Sequence, residues 1–456
     1  MEPVVGVVLF VLYMAALLQA MGHSLFQPLL GSGEASWFDE GLSAARRDLG
    51  FRFERRRSRT VVGKRGDYEV RIELRRFGGR EGEAARHDLW VSLTCDRFPQ
   101  RVAFAKETGA GTDVLTGDSR FDDAVLVKGE PTILAALLDR ELRVRLLRLI
   151  VWDGGISEGR ISWRASANFM AGEITGTLKD LVELADLLSS PKGGGVCECL
   201  ARNVQEDEEP GVRLWNLNLL AQHFADRPET LAASRAGLSD SSPWVRLAAA
   251  RLLPVEGAQV LKALLADRAT PDHSAAEAAA LIGARLPADE AGPALIAALK
   301  NRSGEARRQA IQELGRIKHA PAVGPLCVAL DRSEPRDAAA AAAALGAIGD
   351  PKSERHLLDA IRKEEPELRI AAAQALGAFG SFRAVEPLLA QLARARLGAE
   401  TRQALRDAVS AIQSRLAGAG AGQLSIATTS AEVGRLSLAT PKAGPGDVSL
   451  ASRRDA

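Results

Sequence analysis

Residues 306–317 read ARRQAIQELGRI, residues 338–350 read AAAAAAALGAIGD, and residues 368–380 read LRIAAAQALGAFG. All three carry small residues followed by a Leu-Gly pair, at Leu314-Gly315, Leu345-Gly346 and Leu376-Gly377. After each comes a short turn and an apolar segment such as PAVGPLCVALD (321–331) or FRAVEPLLAQL (382–392). Extending this alignment outward marks Ala221, Pro254, Gly283, Gly315, Gly346, Gly377 and Ser410, at steps of 33, 29, 32, 31, 31 and 33 residues. A period near 31 with two helices per unit is the signature of a solenoid. The expectation is about seven helix pairs over residues 212–416.

The recurring residues have physical reasons. Pro243, Pro271, Pro335 and Pro366 stand eleven or twelve residues before the marked positions, where a first helical turn tolerates a missing N–H. Arg213, Arg246, Arg307, Arg369 and Arg402 stand eight residues before them. Asp240 and Asn301 precede Arg246 and Arg307 by six residues and are candidate partners for them. The alanines let neighbouring units approach closely, and Gly315, Gly346 and Gly377 suit a tight helix exit.

These units resemble HEAT repeats, in particular the short variety associated with phycobilisome lyases. The resemblance covers Val212 to Leu416, a little under half the chain. It implies the fold and leaves the function open, because scaffolds, chromophore lyases, metal-dependent hydroxylases and DNA glycosylases share such repeats. Iron-dependent hydroxylases of this type use His-Glu pairs. None of His23, His87, His223, His273, His319 and His356 is followed by Glu.

Charge argues against a nucleic-acid partner. The chain of 456 residues has 59 basic and 58 acidic residues, and residues 212–416 carry 27 Lys and Arg against 23 Asp and Glu, an excess of four. Phosphate binding would call for a stronger basic bias. No GxxxxGK[ST] or HExxH sequence is present. The reading is a chain that is not an enzyme and needs no cofactor or metal.

From Val4 to Leu18 every residue is apolar or glycine, and Gln19-Ala20-Met21-Gly22 extends the run. About 18 residues at 1.5 Å each reach roughly 27 Å, close to a hydrocarbon core. A retained single-pass anchor over residues 1–22 is favoured over a cleaved signal peptide, which needs a basic n-region, and over a buried helix. Its expected bilayer contact is residues 4–21. Arg46, Arg47, Arg52, Arg55, Arg56, Arg57 and Arg59 all follow the run, which places the soluble domains in the cytoplasm. The scattered Cys95, Cys197, Cys199 and Cys327 agree with a reducing compartment.

Residues 37–190 read as a mixed α+β domain. Trp37 to Leu49 has helical spacing, and a hairpin turn is expected at Gly63–Asp67. Strands are expected at Leu89–Thr94, Val102–Ala105, Ala124–Val127 and Ile161–Ala165. Helices are expected from Pro131 to Val151 and from Thr177 to Leu188. The run Thr116-Gly117-Asp118-Ser119-Arg120-Phe121-Asp122-Asp123 lacks the ligand spacing of a calcium loop and reads as a tight turn. With its following strand and helix it is similar to a domain of uncharacterised bacterial membrane-associated proteins, which implies no activity. The arginines from Arg52 to Arg76 read as the solvated face of a sheet, with anionic lipid as the alternative.

Residues 191–211 read as a linker, glycine-rich at Gly193-Gly194-Gly195 and acidic at Glu206-Asp207-Glu208-Glu209. Cys197-Glu198-Cys199 inside it lacks the further ligands of a closed zinc site. Residues 417–456 form a tail too poor in apolar residues to fold alone. Three segments recur in it at twelve-residue spacing, Gly422–Thr428, Gly434–Thr440 and Gly446–Ser452, with pattern G-x-[LV]-S-[IL]-A-[ST]. Their alternation suits an extended peptide that adds to a sheet edge or docks in a groove.

The chain therefore reads as an α+β N-terminal domain followed by an all-α HEAT-repeat solenoid, with an N-terminal transmembrane helix. Its expected role is a membrane-anchored adaptor that binds protein partners through the repeats, the alternative being a HEAT-type enzyme. Expected partner-binding residues are Trp215, Trp244 and Arg246, because aromatics and Arg dominate hot spots. In the tail they are Leu424, Ser425, Leu436, Ser437, Val448 and Ser449.

Overall fold

The computed structural model describes residues 34–57, 60–77, 86–108, 113–151, 153–166, 171–189, 194–394, 397–416, 424–426 and 436–438. The chain divides into two compact units, Met1–Thr230 and Leu231–Ala456.

In the first unit, α1 (Glu34–Leu49) precedes β1 (Arg52–Arg57), β2 (Thr60–Arg65), β3 (Tyr68–Phe77), β4 (Arg86–Thr94) and β5 (Ala103–Lys106). Then come α2 (Ser119–Asp122), β6 (Val125–Lys128), α3 (Pro131–Leu137), α4 (Arg140–Val151), β7 (Gly155–Ser157), β8 (Arg160–Ser166) and α5 (Ala171–Ser189). The strands form one antiparallel sheet in the order β1-β2-β3-β4-β8-β7-β5-β6. Alternation in β3 sends Val70 and Ile72 into the core. They stand opposite Leu93 and Val91, which in turn oppose Ile161 and Trp163. On the other face, Arg71 and Arg75 both donate to Glu73, and Arg75 and Arg164 lie over the Trp90 ring at 4.5 and 5.2 Å. These two arginines are held within the sheet face by neighbouring acids and an indole.

The hairpin turn is tighter than the sequence suggests, because β2 runs to Arg65 and only Gly66-Asp67 turns. The single helix expected from Pro131 to Val151 is two helices. Asp139 breaks it by capping α4, its carboxylate accepting from the Leu142 N–H at 2.9 Å.

Two more helices complete this unit, α6 (Val196–Glu206) and α7 (Pro210–His223). The first fills most of the stretch read as linker. Cys199, Leu200, Ala201 and Val204 are buried along it, an apolar stripe that the flanking glycines and acids obscure.

From α8 (Pro228–Gly237), which spans the division between the units, the chain is helical to Leu416 in its described residues. There follow α9 (Pro243–Leu252), α10 (Ala258–Ala266), α11 (Asp272–Arg285), α12 (Ala288–Asn301), α13 (Gly304–Arg316) and α14 (Val323–Arg332). The last are α15 (Pro335–Ile348), α16 (Glu354–Ala360), α17 (Pro366–Phe379), α18 (Val385–Leu392) and α19 (Ala399–Leu416). One continuous core runs from Leu247 to Ile412. The second helices α11, α13, α15, α17 and α19 pack as neighbours in a row, more closely than the first helices do.

Glycine and alanine make that closeness possible. A Cβ on Gly315 would stand 2.7 Å from the Ala344 Cα, and one on Gly346 2.8 Å from the Ala375 Cα. The Leu-Gly positions therefore lie within helices, against the next helix, and not at the exits. The exit of α15 is made by Gly349, at φ +74°.

Carbonyls left open at helix ends are met by basic residues from the following repeat. Arg302 donates to the Leu264, Leu265, Asp267 and Thr270 oxygens at the end of α10. Arg415 reaches Gly377, Ala378 and Gly380 at the end of α17. Lys363 reaches Leu330 and Asp331 at the end of α14.

The fold class read from the sequence is corrected in its membrane part. The structure is mostly helical with an antiparallel sheet, and no helix among the described residues is long and apolar enough to cross a membrane. Residues 1–22 lie outside the described residues, and the single-pass membrane placement is withdrawn with the anchor that supported it.

Candidate binding groove on the repeat stack

The second helices begin along one edge of the stack, and their starts share polar contacts. Asp272, in the first turn of α11, accepts from the backbone N–H groups of Glu305 and Ala306 at 2.7 and 3.3 Å. One repeat thereby caps the helix of the next. Arg307 Nη2 donates to Ser333 Oγ at 2.6 Å. Arg307 and Arg308 both approach Asp337 on α15, at 3.7 and 3.4 Å.

Where α13, α15 and α17 start, a groove of about 900 Å³ opens. It is lined by Ser303, Gly304 and Arg308, then Glu334, Pro335, Arg336 and Asp337, then Glu365, Pro366 and Glu367. Glu334 and Glu365 stand at N-cap positions and make no side-chain cap bond. Pro335 and Pro366 follow them, so the first N–H of each helix is absent. Asp337 is 5% exposed, yet its Oδ1 accepts no hydrogen bond. Glu365 Oε2 and the Nε atoms of Arg307 and Arg308 are also buried without hydrogen-bond partners. Asp337 Oδ1 faces Arg308 Nε and Asp337 Oδ2 faces Arg307 Nε, so these buried charges are ion-paired with one another, although the pairs lack the close geometry that buried polar atoms usually reach.

The residues expected to bind a partner are spread over the structure. Trp215 is half-buried against the core of the first unit. Trp244, in the first turn of α9, is half-buried with its ring 4.1 Å from that of His273. Arg246 donates to the Asp240 and Ser241 carbonyls at 2.7 and 2.9 Å. The Asp240 carboxylate instead accepts from the Ser242 N–H at 2.7 Å. Arg213 makes the matching pair of bonds to Asp207 and Glu208, and Arg369 reaches Lys363. Leu424–Ile426 and Leu436–Leu438 are short strands, β9 and β10, paired with each other. Val448 and Ser449 lie outside the described residues.

The groove residues Arg308, Asp337 and Glu365 were not singled out in the sequence. Glu365 carried one signal, a Glu-Pro pair, which recurs at 2–3, 130–131, 209–210, 334–335, 365–366 and 386–387 and opens a helix at Pro131, Pro210, Pro335 and Pro366; Arg308 and Asp337 carried none.

Other clusters are accounted for by folding. The Asp122 carboxylate accepts from Thr116 and Gly117, so the TGDSRFDD run is a self-bonded turn. A cavity of about 490 Å³ between α4 and α6 is lined by four arginines and four carboxylates. Cys199 is buried, and Cys197 stands 4.0 Å from Glu229. Among the described residues no cluster of three or more His, Cys, Asp or Glu could hold a metal ion. Burial, with Asp331 and Asp350 nearby, raises the Cys327 thiol to a pKa of about 11.

Comparison with known proteins bears on the repeats. No curated protein matches the chain. Human deoxyhypusine hydroxylase, solved in complex with glycerol, is 24% identical with a TM-score of 0.26, over 43% of this chain and 78% of its own. An engineered protein of known crystal structure is 19% identical with a TM-score of 0.33, over 51% of this chain and 70% of its own. At these scores neither likeness says what this chain does. The first is nevertheless named as an enzyme, and the expectation that the chain is not an enzyme, which rested on missing motifs, is withdrawn. The family described as HEAT repeats matches residues 323–410. That span runs from α14 into α19, and it is a stretch of HEAT repeats.

Proposed function

We propose that the HEAT repeats form a scaffold that binds a protein partner along the groove at the starts of α13, α15 and α17. HEAT repeats commonly mediate protein–protein interaction, and a stack of them presents the same edge repeatedly. The observation that carries the proposal is the groove of about 900 Å³ lined by the carboxylates of Glu334, Glu365 and Glu367 at the Pro335 and Pro366 helix starts. A polypeptide crossing the groove brings N–H donors to the carboxylates of Glu334, Glu365 and Glu367 that line it.

The test compares the full chain with a variant carrying Glu334→Arg, Glu365→Arg and Glu367→Arg, three groove side chains that make no cap. In-cell crosslinking with mass spectrometry should map partner crosslinks onto residues 300–370 of the parent chain. The variant should lose them while its circular dichroism is unchanged. Identical crosslinked partners in both chains would refute the groove as the docking site.

A further inference from the structure

The described part of the tail pairs one copy of its motif with another. Leu424–Ile426 is the core of the first copy, Leu436–Leu438 that of the second, and they run antiparallel. The register sets Ser425 opposite Ser437, with Leu424 opposite Leu438 and Ile426 opposite Leu436. The ladder is therefore centred on the middle residue of the motif in both strands. An antiparallel pair centred this way is self-complementary. Any two copies, from one chain or from two, meet in the same register, as an interface across a two-fold axis requires.

Two further facts bear on what this pairing does. A ladder of three residues on two strands is marginal by itself, and among the described residues each strand keeps an unpaired edge of N–H and C=O groups. The core positions of all three copies contain no Pro, Lys, Arg, Asp or Glu, the residues that usually blunt such an edge. The third copy has the core Val448-Ser449-Leu450.

We infer that the tail is a self-recognising element whose partner is a second copy of this chain, the motif cores of one tail pairing antiparallel with those of the other. Each contact is short, and three copies per tail make it strong enough to hold, because after the first pairing the others form at high effective concentration. This inference is independent of the groove and survives if the groove binds nothing.

Light scattering on the full chain across micromolar concentrations tests it, beside a chain ending at Leu416 and one carrying Ser425→Pro, Ser437→Pro and Ser449→Pro. Proline removes a ladder N–H, and these positions lie outside the helical core, so folding of the repeats is not at stake. The full chain should rise toward twice the monomer mass while both variants remain at the monomer mass. A full chain that stays monomeric, or a truncated chain that associates equally, overturns the inference. Oxidation of a Ser437→Cys, Ser449→Cys chain reads the register. Disulfides between chains support it, and disulfides confined to one chain overturn it.

Discussion

The guanidinium of Arg143 lies between Asp118 and Asp207, donating to Asp118 at 3.0 Å and to both oxygens of Asp207 at 2.9 and 3.0 Å. It also donates to the Leu138 carbonyl at 2.9 Å, and the residue is only 2% exposed. Burial lowers its pKa, and the hydrogen bonds and charges of Asp207 and Asp118 more than offset this and raise it. One side chain on α4 thus ties the turn at Asp118 to the C-cap of α6. Gly117 and Gly211 meet backbone to backbone beside it, and a Cβ on either would collide with the other.

Arg143→Ala should therefore destabilise the first unit by about 3–5 kcal/mol, the usual result of leaving a buried partner charge uncompensated. Arg143→Met combined with Asp207→Leu should recover part of that loss, because the buried charge leaves with its partner. Urea unfolding followed at the sheet signal reads both. An Arg143→Ala chain with unchanged midpoint would show that the acids are solvated in solution.

This junction shows where sequence reading stops. The period of 31 residues was legible because each unit repeats the same packing problem, so small residues recur at the same places. Arg143 was not legible, since its partners lie 25 and 64 residues away and no local pattern links them. The acidic run Glu206–Glu209 resembled a linker, yet Asp207 is buried because Arg143 neutralises it. The glycines of the Leu-Gly pairs were visible and their reason was misread. Nothing local separates a glycine that ends a helix from one that admits a neighbouring helix.

Gly346→Leu should destabilise the repeats by about 1–3 kcal/mol, the cost of overpacking a close contact, because even a Cβ there stands 2.8 Å from the Ala375 Cα. Gly324→Ala is the control. That glycine is helical and exposed, and a Cβ on it meets nothing within 4 Å. Alanine there should leave stability unchanged or raise it by up to about 1 kcal/mol. Equal thermal shifts in the two variants would contradict the close approach of α15 and α17.

The Cys327 thiol supplies a pH signature. Its folded pKa of about 11 lies above the ordinary 9.0. A raised value means that its contribution to stability is complete below the ordinary value and is lost as pH rises through the folded one. At pH 8 its thiolate fraction is about a hundredfold below that of an ordinary cysteine, and alkylation slows in proportion. Mass spectrometry of iodoacetamide-treated native protein should find Cys327 unlabelled at pH 8, with stability falling from about pH 9 and labelling setting in above about pH 10. Rapid modification at pH 8 would place this thiol outside the core.

Arg246 was expected to bind a partner, and its bonds assign it a different task. It donates to the two carbonyls just before α9, at Asp240 and Ser241. Arg213 does the same before α7 with Asp207 and Glu208. These carbonyls belong to the turns that enter the second helices, so the arginine fixes the angle at which each second helix starts. Arg246→Glu removes both bonds and brings a carboxylate to two carbonyl oxygens. Its cost should be about 2–3 kcal/mol, near the upper range for hydrogen bonds from a charged donor. Arg246→Lys keeps the charge, loses the planar fork and should fall between. Trp244 separates structure from recognition, because its contact is a ring, His273, on the next second helix. Trp244→Phe should keep most of that contact and shift the unfolding midpoint less than Arg246→Glu does. If Arg246→Glu leaves the midpoint unmoved while partner crosslinks to the stack vanish, Arg246 belongs to the binding surface and the turn-fixing role fails.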